Sequence, residues 1–203
     1  MNDPASRERI ENVEIPDSLR IVQSGRLRGV AEAGEREDGF VPNLLGILSA
    51  APSAVDAYLS LGTVFERTSL RPVEQQLVLA SASVTNGCEY CVAAHSAGLR
   101  MTGLDDEPLS RVRAGRRLDD PKLEALRSFT TVLVETRGRP SEADLQAFLT
   151  VGYRPEQVLE VLVGVALKTL SNCANHIVHT PLDPQLAPHA WDEDALVSED
   201  SAA

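Results

Sequence analysis

The sequence predicts an all-α, single-domain helical bundle, and three observations carry that prediction. Apolar residues recur at helical spacing along most of the chain, no strand-like alternation persists, and Gly and Pro punctuate the series of periodic stretches. The 203 residues fit one domain with loose ends, and 43% apolar against 24% charged residues is the composition of an ordinary globular protein with a proper core. Aromatic residues are only 4%, so Ala, Leu and Val must do most of the packing, which suits close helix contacts.

Taken in order, Asn43 to Ala50 reads as a short apolar helix after Gly39-Phe40-Val41-Pro42. Pro52 at a tolerated first-turn position opens a second, with Val55, Leu59, Leu61 and Phe65 as its stripe to about Arg67. Pro72 and Glu74 suit the first turn of a third, which runs through Leu77, Ala80, Ala82 and Val84 to the stop signal Asn86-Gly87. A fresh helix begins around Cys88 and reaches about Met101, and a short one runs from Asp105 to near Gly115. Pro121 to Arg137 and Ser141 to Val151 follow, the latter with Ser141 as cap and Asp144 three residues on. Pro155 opens the long apolar run Val158 to Val178. Six or seven helices are expected in all.

The expected organisation is a polar N-terminal tail over 1–20, a helical domain over 21–182 and an acidic C-terminal tail over 183–203. A formal net charge of −11 argues against a nucleic-acid partner, which would need clustered Lys and Arg. No stretch approaches the ~20 uninterrupted apolar residues of a membrane span, and Met1 to Arg7 has no signal-peptide core, so no membrane partner and a cytoplasmic location are expected. Three cysteines are too few for a disulfide scaffold; in a reducing compartment a Cys-x-x-Cys pair is more often catalytic or metal-binding.

The chemistry concentrates in Cys88-Glu89-Tyr90-Cys91-Val92-Ala93-Ala94-His95. At about 100° per residue, Cys88, Cys91 and His95 fall at about 0°, 300° and 340°, on one helical face. A helix start and a nearby imidazole both favour a thiolate, and Cys88 sits at such a start. A thiolate attacks a peroxide oxygen, and a second cysteine within reach converts the resulting sulfenic acid to a disulfide. His95 lies four residues from Cys91 and seven from Cys88, so the base reaches Cys91 more directly. Two other readings stay open. Zinc held by the pair with His95, and with Cys173 or His176 as further ligands, would make a metal-stabilised interaction module. The cysteines are otherwise plain buried packing residues. Cys173 is expected to be buried and unpaired, His176 and His179 to form a contact between subunits or a helix end, and Arg111 to Arg117 a solvated face. The surplus of apolar surface over Val158 to Val178 predicts a homo-oligomer.

These motifs resemble the alkylhydroperoxidase D-like, peroxidase-related branch of the carboxymuconolactone decarboxylase family, over roughly Gly39 to His179. The strongest part is Glu74 to Ala80 leading into Asn86 to His95; weaker echoes are Gly39 to Leu44, Asp120 to Leu126, Val158 to Val161 and Asn175-His176. The resemblance implies an all-helical enzyme that needs no cofactor and no metal, assembles as a dimer, trimer or hexamer, and reduces organic hydroperoxides or hydrogen peroxide at the expense of a thiol or dithiol reductant. Carried over by position, Cys91 would be the peroxidatic thiol, Cys88 the resolving thiol and His95 part of a proton relay. The family's relay glutamate falls on Gln76, and a histidine often found between the cysteines is Tyr90 here. Gln76 takes no proton, so Glu74 or Glu66 would substitute, or His95 with water. A dithiol oxidoreductase or redox sensor is the alternative function. Decarboxylase members lack the cysteine pair, so that activity is not expected.

Overall fold

The computed structural model describes residues 40–192, and they contain eight α-helices, one 3₁₀ helix and no strand. The expected tail over 1–20, the first part of the expected domain and the last eleven residues lie outside them. The helices are α1 Asn43–Leu48, α2 Pro52–Glu66, α3 Pro72–Thr85, α4 Glu89–Met101, α5 Asp106–Arg113, α6 Pro121–Glu135, α7 Glu142–Thr150 and α8 Pro155–Val178, followed by the 3₁₀ turn Pro184–His189. All eight stretches read as helical form helices, one or two more than the stated count of six or seven, and α1 and α5 are the short ones at six and eight residues.

The boundaries follow local chemistry. Pro52, Pro72, Pro121 and Pro155 each occupy a first helical position, where a missing N–H costs nothing. Asp120 accepts from the N–H groups of Lys122 and Leu123, and Ser141 and Asp144 form the expected reciprocal cap of α7. Glu74 reaches back to the Arg71 N–H at 2.8 Å and so caps α3.

The core has two parts. Phe65, Leu77, Val78, Leu126, Phe129, Phe148 and Val161 anchor the larger, where α3 packs against α6 and α8. Every residue of α3 from Leu77 to Ser83 is buried, so this helix is the centre of the bundle. The smaller cluster joins Leu44, Leu45, Leu48 and Val55 to Cys88, Tyr90, Cys91 and Leu186. The stretch after Leu182, expected to begin a tail, is packed through residue 191. Asp183, Leu186 and Trp191 are buried, Trp191 donates to the Arg113 carbonyl, and Arg113 holds the carbonyls of His189 and Ala190. By length and composition α8 is the one described helix able to cross a membrane. It lies instead against α2 and α3 and buries Lys168, Ser171, Asn172 and Asn175 on its inner side.

Candidate active site

The turn between α3 and α4 places the thiols. Gly87 has φ of 64°, its N–H bonds the Val84 carbonyl at 3.0 Å, and the Cys88 N–H bonds the Ser83 carbonyl at 2.9 Å. This is a Schellman ending, which only a residue tolerant of the left-handed region closes without strain. Cys88 thus becomes the cap residue of α4 and Cys91 lies in its first turn, both 1% exposed. Asn86 donates to Asn172 at 2.9 Å, tying the turn to α8.

Three helices meet over the sulfurs. From α8, the Asn175 side-chain amide donates to Cys91 Sγ at 3.2 Å and to Cys88 Sγ at 3.6 Å, and Ser171 Oγ lies 3.9 Å from Cys91 Sγ. Lys168, one turn earlier, is 1% exposed and lines the same cleft as Cys91, on which its positive charge acts. Its Nζ stands 2.9 Å from His95 Nε2 on α4, and His95 Nδ1 stands 3.0 Å from Gln76 Oε1 on α3. An ammonium only donates and an amide oxygen only accepts, so the imidazole is assigned as neutral with its proton on Nδ1. Gln76 reaches His95 because residue 98 is Gly: a Cβ there would come within 2.4 Å of Gln76 Oε1.

The electrostatics separate the two thiols. The Cys88 thiol bonding to Cys91, reinforced by the Lys168 charge, outweighs burial and holds Cys91 well below an ordinary thiol, as a thiolate. Cys88 goes the other way, raised by that same bond to Cys91 and by burial. The helix start expected to acidify Cys88 does act on it, through the Cys91 N–H, but the bond to the Cys91 side chain and burial outweigh that pull. Burial disfavours the Lys168 charge, yet the Cys91 anion overcomes this and keeps its pKa above the usual value. Removal from water and the Lys168 charge hold His95 well below its usual pKa, uncharged at neutral pH.

Cys91, His95 and Lys168 line one cleft of about 550 Å³ whose walls include Phe40, Pro42, Leu44, Tyr58, Ala94 and Met101. Cys88 is not on its surface. A second cavity of about 320 Å³ adjoins it at His95, Gln76 and Tyr58 and is lined by Leu45, Leu59, Phe65 and Leu167. Of the two cysteines, Cys91 is the one that lines the cleft.

Of the residues singled out in the sequence, Cys88, Cys91, His95 and Gln76 come together. Tyr90 faces the other way along the cleft wall: its hydroxyl donates to Asp183 Oδ2 at 2.5 Å and accepts from the Leu44 N–H at 3.3 Å, while Asp183 also takes the Asn43 N–H. Burial and the bond to Asp183 raise its pKa, so the phenol stays protonated as a tie between α1, α4 and the C-terminal segment. Glu74 is not brought to the thiols. Its carboxylate is engaged by Arg71 at 3.0 Å, Tyr153 at 3.1 Å and Lys122 at 3.9 Å. Glu66 is exposed and lines the second cavity with His95 and Gln76. Cys173 is exposed, contrary to expectation, because α8 turns its inner side to the site and Cys173 to the outside; His176 and His179 are exposed as well. The extra ligands that the zinc reading needs thus point away from Cys88 and Cys91, and no group of three His, Cys, Asp or Glu side chains converges among the described residues. Sequence reasoning missed Lys168 and Ser171, and noted Asn175 without a role. The available signal was their spacing: 168, 171, 172 and 175 mark one face of an otherwise apolar helix.

The fold and site define an all-helical bundle with a paired buried dithiol. The family model of the carboxymuconolactone decarboxylase family matches residues 52–131, from the start of α2 into α6, and supports the resemblance read from the motifs. Among solved structures, an alkylhydroperoxidase core described as an uncharacterized peroxidase-related protein from Ralstonia eutropha JMP134 superposes with a TM-score of 0.71 at 22% identity, over 84% of this chain and 88% of that one. A peroxidase-related protein from Silicibacter sp. TM1040 gives 0.70 at 16% identity over 82% and 88%. The debrominase Bmp8, solved with 2,3,4-tribromopyrrole, gives 0.70 at 15% identity over 84% and 91%. At these identities the likeness is one of fold. No curated protein matches the chain significantly.

Proposed function

We propose that the protein is a thiol-dependent peroxidase that reduces hydroperoxides through Cys91 and Cys88. The observation that carries this reading is the asymmetry of the pair: Cys91 lines the cleft and is held as a thiolate, while Cys88, which does not line it, stays a protonated thiol. The Cys91 sulfur attacks a peroxide oxygen and becomes a sulfenic acid, and Cys88 attacks that sulfur to give a disulfide and water. A thiol or dithiol reductant returns the pair to its starting state. The apolar walls favour an organic hydroperoxide over hydrogen peroxide, because they reward burial of a hydrocarbon group.

The deciding experiment exposes reduced protein to one equivalent of cumene hydroperoxide and maps the products by mass spectrometry. One Cys88–Cys91 disulfide per chain, formed with loss of the hydroperoxide, is expected. Disulfide exchange with a dithiol reagent but no peroxide consumption would sink the peroxidase reading and leave a dithiol oxidoreductase. Since the debrominase of similar fold was solved with tribromopyrrole, that compound serves as the second substrate tested.

A further inference from the structure

A cationic side chain with 1% exposure in the middle of an apolar helix is costly unless an anion faces it. The titratable groups facing Lys168 are Cys91, Cys88 and His95 on α4 and Tyr58 on α2. Gln76, on α3, is neutral. His95 adds no negative charge: its Nε2 accepts from the ammonium and its Nδ1–H is spent on the Gln76 carbonyl, an amide that takes no proton onward. The countercharge is therefore the Cys91 thiolate, and oxidation to a disulfide abolishes it. A lone buried ammonium would then remain, in a place where burial strongly favours the neutral amine.

We propose, resting on the peroxidase reading above, that Lys168 is the acid of the dithiol centre: it holds the Cys91 thiolate in the reduced protein, surrenders its proton to the leaving oxygen as that thiolate is oxidised, and stays a neutral amine beside the Cys88–Cys91 disulfide. In the first step the Cys91 sulfur forms a bond to one oxygen of ROOH and the O–O bond breaks. The departing RO⁻ takes a proton from Lys168 and leaves as ROH, with Cys91 as a sulfenic acid. In the second, Cys88 forms the S–S bond, the S–O bond breaks, and the Cys88 proton leaves with the hydroxide as water. One thiolate, one thiol, one ammonium and ROOH thus give a disulfide, ROH, water and an amine, with two electrons passing from sulfur to the peroxide. The dithiol reductant returns two electrons and two protons, one to Cys88 and one to Lys168. His95 and Gln76 are positioning residues that fix the ammonium against the sulfur.

The test uses the full chain and two measurements taken together. In reduced protein, the rate of Cys91 alkylation by iodoacetamide should stay flat across neutral pH, as befits a thiolate. The reduction potential, set against a dithiothreitol redox buffer over the same pH range, should show two protons taken up per electron pair. A count of one proton means that the ammonium survives in the disulfide form and overturns the proposal; so does an alkylation rate that climbs tenfold per pH unit. Lys168→Met should slow Cys91 alkylation at neutral pH at least tenfold, with recovery towards the ordinary thiol value of about 8.5. Lys168→Arg keeps a cation that does not release its proton. It should retain the thiolate, drop the count to one and oxidise at least tenfold more slowly with cumene hydroperoxide; a wild-type rate would count against the assignment. Should either variant fail to fold, the two wild-type measurements decide alone. A thiolate and a two-proton count without any oxidation by the hydroperoxide would refute the peroxidase reading and leave Lys168 as the acid of the pair.

Discussion

Two thiols three residues apart end with opposite acid–base character because one anion is all the site can support. The Asn175 amide, the Ser171 hydroxyl and the Lys168 ammonium serve Cys91, whereas Cys88 has the Asn175 amide and a neighbour that is already negative. Cys91→Ser should therefore abolish hydroperoxide consumption, while Cys88→Ser should allow one attack and strand a sulfenic acid that passes to sulfinic acid, each read by mass spectrometry after peroxide treatment. A dimedone label on Cys88 in the Cys91→Ser protein would reverse the roles. Gly98→Ala drives a methyl group into the Gln76 amide, a flexible group that swings aside at small cost in stability. The expected outcome is a loss in peroxide rate that matches Gln76→Ala and does not add to it, since both free His95 from the same bond. The cysteines and His95 were legible from spacing alone. Lys168 was not, because a lone lysine in an apolar run says nothing of its anion until the α3–α4 turn delivers one from 77 residues earlier in the chain (168 − 91).

At the scale of elements, prolines and glycines fixed nearly every boundary within about two residues, because each sits where only its own backbone behaviour fits. What the linear pattern misplaced was Glu74, whose position two residues before Gln76 suggests a share in the site. On a helix those two residues point about 200° apart, so Glu74 turns to Arg71 and Tyr153 in the bundle while Gln76 turns to His95. Burial opposes the Glu74 charge, yet the bonds from Arg71 outweigh it and hold the carboxyl below its usual range. A depressed folded-state pKa gives stability that is full above the unfolded carboxylate value of about 4.3 and lost as pH falls through the folded one. Glu74→Gln should accordingly lower the urea midpoint at pH 7, by an amount equivalent to about 1–3 kcal/mol for a buried charged bond, with the gap to wild type narrowing in acid. A gap that is unchanged at pH 3 would mean that the carboxylate charge contributes nothing.

At the scale of the molecule, α8 has two faces with different tasks. Its inner side completes the site; its outer side leaves Leu159 65%, Leu162 37% and Ile177 75% exposed, with Cys173 between them. Leu159, Leu162, Ala166, Thr169 and Cys173 step by three and four residues in turn, the spacing of a seam that packs against another helix. Val64 on the adjoining α2 is exposed as well. Contiguous apolar surface of this kind is what closed symmetric assemblies cover, and a two-fold axis beside α8 would set the same stripe of two copies face to face. The expected outcome is a dimer or higher symmetric oligomer by light scattering at micromolar concentration. Leu159→Lys with Leu162→Lys should shift that mass to the monomer while leaving Cys91 alkylation unchanged, since neither side chain lines the cleft. A monomeric wild type would refute the assembly. Cross-linking through Cys173 gives an independent reading: mild oxidation of an oligomer built on this face should yield a Cys173 disulfide between chains, whereas within one chain Cys173 points away from the Cys88 and Cys91 side of α8 and should pair with neither.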